Sequence, residues 1–538
     1  MRRSALPIVA AMSMALLLPQ NFSASAAEEA PSAPLSAGDV TNIGPGLYTS
    51  ANDSYRVFES DVAAGLMGRK HTITGQAVGV SQAQDAPQTR SDLGVFGPSW
   101  QAEFVGGQLN RKLVQESGAI VTTDLDNSES VRYEMTDSLE APGGGSVNTY
   151  TSSDGSTIVE NVTWDDLAGE MKSNITETLK IGMGAALEGD SGPVGENGAP
   201  IPEADLHPTY TWKQVSGTGD TWRVTSVGTK ALNSTQVSYD AQGRVATVSE
   251  PEGGDHPARS LTLNYATATT AAGTTLGDVA GQVKDITVTT GQTVETLARY
   301  TYEASGLLRE VTNPAAGSEL NSYTYDGADR LSTLTSGDGG DWQLTFTGDA
   351  AAPQAQETGG GIPDAGSIVA GGQEHPDGVA PPSENFVDGE ITDPQAYPRA
   401  CSSPESWIRY WGNCSTVVAH YGWKWPSWKQ TPTGYWVRGI YEDHCTTSVD
   451  RPYGFDFRAA CDAHDYAYGT IGNRYKGYGW YLDTNQGYNA DAAFYNLLRY
   501  NTCPAYASWT QRTCKNLAAT YYAFVYKYGH PRNGANAT

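Results

Sequence analysis

Several features are scarce in this chain, and each scarcity excludes a class of protein. Cysteine is absent from the first 400 of the 538 residues, which excludes a disulfide framework there. Charged residues make up 17% of the chain, too few for a coiled coil or a long charged helix. Basic residues number 34 against 60 acidic ones, and the net charge of −26 excludes a protein that binds nucleic acid over its whole surface.

Glycine, proline and an uneven distribution of charge are what the chain does have. The 60 glycines and 28 prolines favour turns and strands over long helices. The last 138 residues carry 13 basic and 9 acidic side chains together with all six cysteines, whereas the remainder carries 21 basic and 51 acidic ones. The remainder therefore has a net charge of about −30, and two different units are predicted in one chain.

The N-terminus has the pattern of an export signal. Met1-Arg2-Arg3 is followed by an apolar run over 5–19 and by Ala24-Ser25-Ala26, an Ala-x-Ala cleavage site. The run is too short for a permanent transmembrane anchor, and no later stretch reaches 18 apolar residues. We therefore expect a signal peptide at 1–26 and a secreted, extracellular chain. The clustered cysteines of an exported chain predict disulfides.

Short alternating runs broken by Gly, Asn, Asp and Ser follow from about residue 44 to 348. Examples are 221–227 and 284–290, whose alternation is typical of strands with one buried face. The sequence therefore predicts an all-β N-terminal region, with a β-rich domain at 27–235. Its acidic surface suits solubility outside the cell more than any specific partner.

A repeat lies in the second part of this region. Tyr239-Asp-Ala-Gln-Gly-Arg-Val245 recurs from Tyr302 and from Tyr325, with Asp329 at the position of the turn glycine in the last copy. The tyrosine is expected to pack, and the glycine to supply a positive φ in a β-hairpin turn. The motif resembles the RHS or YD repeats of bacterial wall-associated and polymorphic-toxin proteins, which implies a carrier scaffold at 236–348. The alternative is a generic β domain.

Residues 349–400 are rich in Ala, Gly, Pro, Asp and Glu, with few aromatics and no periodicity. This composition predicts a flexible linker.

The region 401–538 changes to helical patterns. Asp491–Tyr500 and Asn516–Tyr528 are predicted helices, the second ending at Gly529. In Cys461-Asp-Ala-His-Asp465, helical spacing would place Cys461, His464 and Asp465 on one stripe. A histidine base needs a partner that fixes its tautomer, and Asp491, 27 residues further on, is the candidate for His464.

A metal site is predicted beside this histidine. Asp443 stands two residues before Cys445, and a disulfide from Cys445 to Cys461 would bring Asp443 beside Asp465. Two carboxylates with backbone carbonyls make a hard oxygen site that suits calcium.

Together these motifs resemble the bacterial and fungal branch of secreted phospholipase A2 enzymes. The motifs that carry the resemblance are Asp443-His-Cys445, Pro452-Tyr-Gly-Phe455, the run Phe457–Tyr468 with Cys461-x-x-His464-Asp465, and Asp491-Ala-Ala-Phe494. The resemblance implies a small all-α, disulfide-bonded domain at 401–538 that hydrolyses the sn-2 ester of phospholipids.

Site residues follow from the resemblance. It implies His464 as the general base, Asp491 as its partner, and Ca2+ bound by Asp443, Asp465 and the carbonyl of His444. It also implies the disulfides Cys445–Cys461 and Cys503–Cys514. Cys401 and Cys414 then remain by count as a third pair.

A tryptophan-rich segment precedes the motifs and is not recognised as part of that domain. Trp423, Trp425 and Trp428 with Lys424 and Lys429 suit a phospholipid membrane interface. Alternatively, these tryptophans fill a small core or sit against the acidic β region, an intramolecular contact that would mask the basic domain. The alternative function is a non-enzymatic, Trp- and Tyr-rich carbohydrate- or wall-binding module on the β scaffold.

Overall fold

A computed structural model gives the architecture. It describes residues 40–59, 67–75, 87–180 without 127, 142 and 168, then 199, 201–215, 222–252 without 233, and 258–359 without 315–318 and 337–339. In the C-terminal part it describes 428–430, 436–438, 498–503, 508–528 and the single positions 445, 452, 455, 457, 460, 461, 464, 491, 494, 495 and 506.

Five strands form a first antiparallel sheet in which each strand pairs with the next in sequence. They are β1 (Val40–Ile43), β2 (Gly46–Thr49), β3 (Ser54–Glu59), β4 (Met67–Thr74) and β5 (Trp100–Phe104).

Eighteen further strands form one closed antiparallel sheet, again with neighbours in sequence paired. They are β6 (Arg111–Glu116), β7 (Ala119–Asp124), β8 (Glu129–Ala141), β9 (Gly145–Ser152), β10 (Thr157–Asp165), β11 (Glu170–Thr178), β12 (Thr209–Gln214), β13 (Trp222–Gly228), β14 (Thr235–Tyr239), β15 (Val245–Glu250), β16 (Arg259–Tyr265), β17 (Val283–Thr290), β18 (Thr293–Tyr302), β19 (Leu308–Asn313), β20 (Glu319–Tyr325), β21 (Leu331–Ser336), β22 (Gly340–Phe346) and β23 (Pro353–Gly359).

The predicted β-rich N-terminal region is confirmed. The alternating runs 221–227 and 284–290 correspond to β13 and β17. The closed sheet passes through the expected boundary at 235/236 without a break, and β23 lies inside the range 349–400 assigned to the linker. The sheet thus extends about ten residues beyond its expected end, because β22 offers β23 an edge to pair with, which composition alone does not reveal.

The repeat tyrosines share one structural role. Each stands where the strand register shifts by a bulge, and each hydroxyl donates to a backbone carbonyl on an earlier strand. The pairs are Tyr239 to Val224 at 2.7 Å, Tyr265 to Val245 at 2.7 Å, Tyr302 to Val283 at 2.6 Å and Tyr325 to Leu308 at 2.6 Å. Tyr265 is a fourth tyrosine in this role, which the sequence motif does not reveal because no acidic turn residue follows it.

The turns after these tyrosines have the expected backbone. Gly243 and Gly306 have φ values of 74° and 94°. Asp329, which replaces the glycine, adopts the same left-handed region at φ 58°, a conformation that Asp tolerates better than most residues. In this copy Asp326 accepts hydrogen bonds from the backbone of Ala328 and from Arg330, which closes the turn.

The first sheet packs on the closed sheet through a buried cation. The Arg69 guanidinium lies 4.2 Å from the Trp100 ring centroid and donates to the hydroxyl of Tyr323 at 2.8 Å. The Trp100 indole donates to Tyr325 at 2.8 Å. The His71 ring, fully buried, lies 4.9 Å from the Trp100 ring. The first sheet is therefore anchored to Tyr323 and to the repeat tyrosine Tyr325 of β20.

The described C-terminal elements are few. A two-stranded hairpin comprises β24 (Trp428–Gln430) and β25 (Trp436–Arg438), a π-helical turn covers Leu498–Thr502, and one long helix, α1, covers Ser508–Tyr528. Helix α1 ends where the sequence predicts but begins eight residues earlier. Among the described residues, no helix is both long and apolar enough to cross a membrane.

Loss of one repeat hydroxyl should weaken the closed sheet. Tyr302 is fully buried, so Tyr302→Phe leaves the Val283 carbonyl without this donor. We expect the free energy of unfolding of the β region to fall by about 1–2 kcal/mol, the usual penalty for an unmet buried hydrogen-bonding group. Urea unfolding followed by far-UV circular dichroism measures it, and unchanged stability would contradict the role given to the repeat tyrosines.

Acid should weaken the attachment of the first sheet. Burial, with a smaller contribution from the charge of Arg69, lowers the pKa of His71 from 6.5 to about 3. Between these values the unfolded chain binds a proton that the folded chain does not, so the free energy of unfolding falls as the pH drops from about 6.5 toward 3. We expect His71→Phe to flatten this dependence in melting curves taken between pH 7 and pH 4. A slope equal to that of the unmodified chain would refute the assignment.

Candidate active site

The structure brings His464 and Asp491 together. Nε2 of His464 lies 2.7 Å from Oδ1 of Asp491, across 27 residues of sequence. The histidine is 6% exposed and the aspartate fully buried, and the Phe494 ring lies 5.1 Å from the imidazole. Because a carboxylate accepts hydrogen bonds, Asp491 holds the imidazole with its proton on Nε2. Nδ1 then carries the lone pair and can accept a proton.

A disulfide and a helical hydrogen bond position His464. The Cys461 amide donates to the carbonyl of Phe457 at 3.0 Å, a bond of the α-helical type, and His464 follows three residues later. Cys461 is joined to Cys445, with their Cα atoms 5.0 Å apart. This is a pair that the resemblance implies, and it ties the histidine segment to the segment that precedes it.

The segment that carries Asp491 is held by a second disulfide. The helical residues Asp491, Phe494 and Tyr495 precede the π-helical turn, after which Cys503 is joined to Cys514 of α1. Edge-to-face aromatic contacts join the histidine segment to the segment that follows Asp491. The ring centroids of Phe455 and Tyr506 are 4.8 Å apart, and those of Phe457 and Tyr521 are 5.1 Å apart. Helix α1 is thus the support on which the histidine and aspartate segments both rest.

Most other expected site residues lie outside the described residues. They are Asp443, His444, Asp465, Cys401, Cys414, Trp423, Lys424 and Trp425, with the side chains of Trp428 and Lys429. The described residues alone hold no cluster of three metal-ligating side chains. The Cys445–Cys461 disulfide nevertheless joins the two segments that carry the candidate calcium ligands, and carboxylate and carbonyl oxygens are the donors that calcium prefers.

Side chains of the β region contact the C-terminal part, through residues other than the tryptophans for which the sequence suggested such a contact. The Gln108 amide donates to the Tyr495 hydroxyl at 2.5 Å, and the Tyr522 hydroxyl donates to Oε1 of Glu250 at 2.9 Å. Both contacts join residues more than 250 positions apart, and no local motif marks them. Tyr495 lies four residues after Asp491, so one of these contacts is close to the candidate catalytic pair.

Charges of opposite sign meet at the same boundary. Burial would raise the pKa of Asp126, but Lys70, and then Lys515 and Arg499, hold this pKa well below its usual range. Burial lowers the pKa of Lys515, and Asp124 and Asp126 oppose that shift. Lys515 and Arg499 of the C-terminal part therefore lie close to the carboxylate of Asp126 in the β region.

Comparison with known proteins supports both resemblances. Residues 428–529 match the family model of prokaryotic phospholipase A2, and residues 302–341 match that of the RHS repeat. The chain is similar to secretory phospholipase A2 of Arthroderma benhamiae, 36% identical over 93 residues that make up 16% of this chain and 57% of the relative. It is similar also to secretory phospholipase A2 of Beauveria bassiana, 32% identical over 16% of this chain and 42% of the relative.

These matches confirm the predicted resemblances: a phospholipase A2-like C-terminal part combined with RHS repeats. The chain spans only about half the length of the curated relatives that it matches. A solved structure, "Crystal Structure of TcdB2-TccC3-Cdc42", aligns with 43% of this chain and 14% of its own chain at 12% identity. The TM-score of this alignment is 0.18, too low to indicate a shared fold.

Removal of the Cys445–Cys461 disulfide should loosen the histidine segment. The bond closes a loop of 16 residues, for which chain entropy predicts a stabilisation of about 3 kcal/mol. We expect the double variant Cys445→Ala, Cys461→Ala to lose amide hydrogen-exchange protection around His464 while β6–β23 keep theirs. Unchanged protection around His464 would show that packing alone holds this segment.

Proposed function

We propose that this chain is a secreted, calcium-dependent phospholipase A2 that hydrolyses the sn-2 ester of phospholipids to a lysophospholipid and a fatty acid. The observation that carries the proposal is the buried hydrogen bond between His464 and Asp491, within the segment that matches the phospholipase A2 family. A surface histidine beside an aspartate would be unremarkable. Here the pair is buried, and each of its two segments is held by its own disulfide; burying a histidine and a carboxylate costs free energy, and such pairs are typical of catalytic sites.

The geometry supports a general-base reaction. Nδ1 of His464 takes a proton from a water molecule as its oxygen attacks the sn-2 carbonyl carbon. Asp491 stabilises the imidazolium that forms, because its carboxylate already accepts from Nε2. The proton then passes to the departing glycerol oxygen as the ester bond breaks. Calcium, held by the carboxylates of Asp443 and Asp465 and the carbonyl of His444, would supply positive charge for the phosphate and the oxyanion.

Cellular location and organisation belong to the same proposal. The Ala-x-Ala signal at 1–26 and the two disulfides support export to an oxidising compartment. The RHS match supports a scaffold that carries the enzyme as a toxin or effector. Trp423, Trp425 and Trp428 with Lys424 and Lys429 are proposed to meet the phospholipid interface.

Contact between the acidic region and the enzyme domain is a further part of the proposal. The hydrogen bonds of Tyr495 and Tyr522 to the β region support it, as does the position of Lys515 beside Asp124 and Asp126.

Fatty-acid release from phosphatidylcholine vesicles tests the reaction. The full chain is assayed before and after limited proteolysis, with calcium or with a chelator. We expect calcium-dependent release from the sn-2 position, abolished in His464→Gln and lowered about 10²–10⁴-fold in Asp491→Asn, because a misoriented base loses most of its effect. Asp166→Asn, at an exposed position, is the matched control.

If a folded and oxidised chain released no fatty acid in any of these conditions, the proposed phospholipase activity would be refuted. The wall-binding module would then become the leading function.

A further inference from the structure

A strained turn lies at the start of the closed sheet. Val105, Gly106 and Gly107 are consecutive and buried, and all three have left-handed backbones, with φ of 48°, 60° and 79°. Glycine adopts this region readily, but a β-branched residue such as Val105 does so only under constraint. Strain of this kind persists where the surroundings require it and is frequent at ligand-binding and switching sites.

The two glycines leave room for side chains of the C-terminal part. A Cβ atom on Gly106 would lie 2.3 Å from Cε1 of Tyr495, and one on Gly107 would lie 2.3 Å from Oε2 of Glu103 and 2.9 Å from Nη2 of Arg499. Tyr495 and Arg499 stand four residues apart and therefore on one face of a helical segment. A larger residue at Gly106 would collide with Tyr495 while that face is seated, whereas Gly107 is also closed by Glu103.

Hydrogen bonds around the turn select an aromatic hydroxyl. The Tyr495 hydroxyl accepts from the Gln108 amide at 2.5 Å and donates to the Val105 carbonyl at 3.4 Å. The other end of the Gln108 amide is fixed, because its oxygen accepts from Tyr210 of β12 at 2.6 Å. The turn therefore offers the Tyr495 hydroxyl one positioned donor, the Gln108 amide, and one positioned acceptor, the Val105 carbonyl.

A second anchor supports the first. Tyr522 of α1 stacks on Tyr495 with ring centroids 4.8 Å apart and planes 14° from parallel. Its hydroxyl donates to Glu250, which the buried Arg259 holds in place at 2.9 Å. Two stacked tyrosines from two segments are thus bound at two separate points of the β region.

We infer that the turn Val105–Gly107 with Gln108 is a docking receptor for the Tyr495–Arg499 face of this same chain, and that docking keeps the phospholipase part latent. The second half of this inference rests on the proposed function. Tyr495 belongs to the segment that carries Asp491, so the docked face and the catalytic partner move together. While this face is seated, the domain is bound to the β region instead of being free to settle on a lipid surface.

Substitutions on the receptor side test the inference without altering the enzyme domain. Gly106→Ala places a methyl group against Tyr495, whereas Gly118→Ala imposes the same left-handed strain at φ 74° with no atom within 4 Å. Gln108→Leu removes the hydrogen bonds without changing the backbone. The full chain is used throughout, and three quantities are measured: amide exchange of α1, binding to phosphatidylcholine vesicles, and calcium-dependent fatty-acid release.

We expect exchange of α1 to rise about 10-fold or more in Gly106→Ala and in Gln108→Leu, since overpacking or an unmet buried partner usually costs at least one factor of ten. Vesicle binding and fatty-acid release should rise with it, and Gly118→Ala should change none of the three. Unchanged exchange in both receptor variants would overturn docking at this turn.

Faster exchange without stronger vesicle binding would overturn latency. If proteolysed wild-type chain releases no fatty acid, the proposed function fails, but exchange and vesicle binding still decide the docking inference.

Discussion

The hydrogen bond from each repeat tyrosine to a carbonyl on an earlier strand is the interaction on which the architecture depends. It recurs at Tyr239, Tyr265, Tyr302 and Tyr325, each beside a register shift, so these four strand pairs share one local displacement. Repetition of one local displacement curves a sheet, and a curved sheet can close and remove its exposed edges. The first sheet is attached to the last of these tyrosines and to its neighbour on the same strand, because Trp100 bonds to Tyr325 and Arg69 bonds to Tyr323. These contacts help a β region of only moderate hydrophobicity to form a packed core.

Folding of the β region also buries charged side chains. These buried charges are paired: Arg111 with Glu177 at 2.7 Å and Arg259 with Glu250 at 2.9 Å in the closed sheet, and Lys70 of β4 with Asp126 at 2.7 Å. Removing one member of such a pair leaves an uncompensated buried charge, which is strongly destabilising. Lys515 and Arg499 join this system from the C-terminal part, so the charge difference between the two units acts at a defined place instead of as a general attraction.

Sequence reasoning succeeded where the signal is local and failed where it is distant. The alternation of β13 and β17, the positive φ at Gly243 and Gly306, and the end of α1 all follow from neighbouring residues. The pairing of His464 with Asp491 spans 27 residues; the helical spacing offered Asp491 as the candidate partner, and the resemblance implies the same pair. Gln108 and Glu250 carry no local motif, and their partners lie more than 250 residues away. Helix α1 begins eight residues before its expected start, and the added part contains Cys514, which is joined to Cys503 outside the helix.

The two disulfides tie the histidine–aspartate pair to segments of the C-terminal part itself. Cys445–Cys461 secures the histidine side, Cys503–Cys514 secures the aspartate side to α1, and aromatic edges join the halves. Contacts to the β region, by contrast, are noncovalent: hydrogen bonds, one tight glycine turn, and the charges of Lys515 and Arg499 near Asp126. With covalent links inside the C-terminal part and noncovalent contacts across the boundary, the contacts to the β region can be lost while the disulfides still hold the histidine–aspartate pair. The proposed function requires that order of events, because the site of an enzyme carried on a scaffold must survive separation from that scaffold.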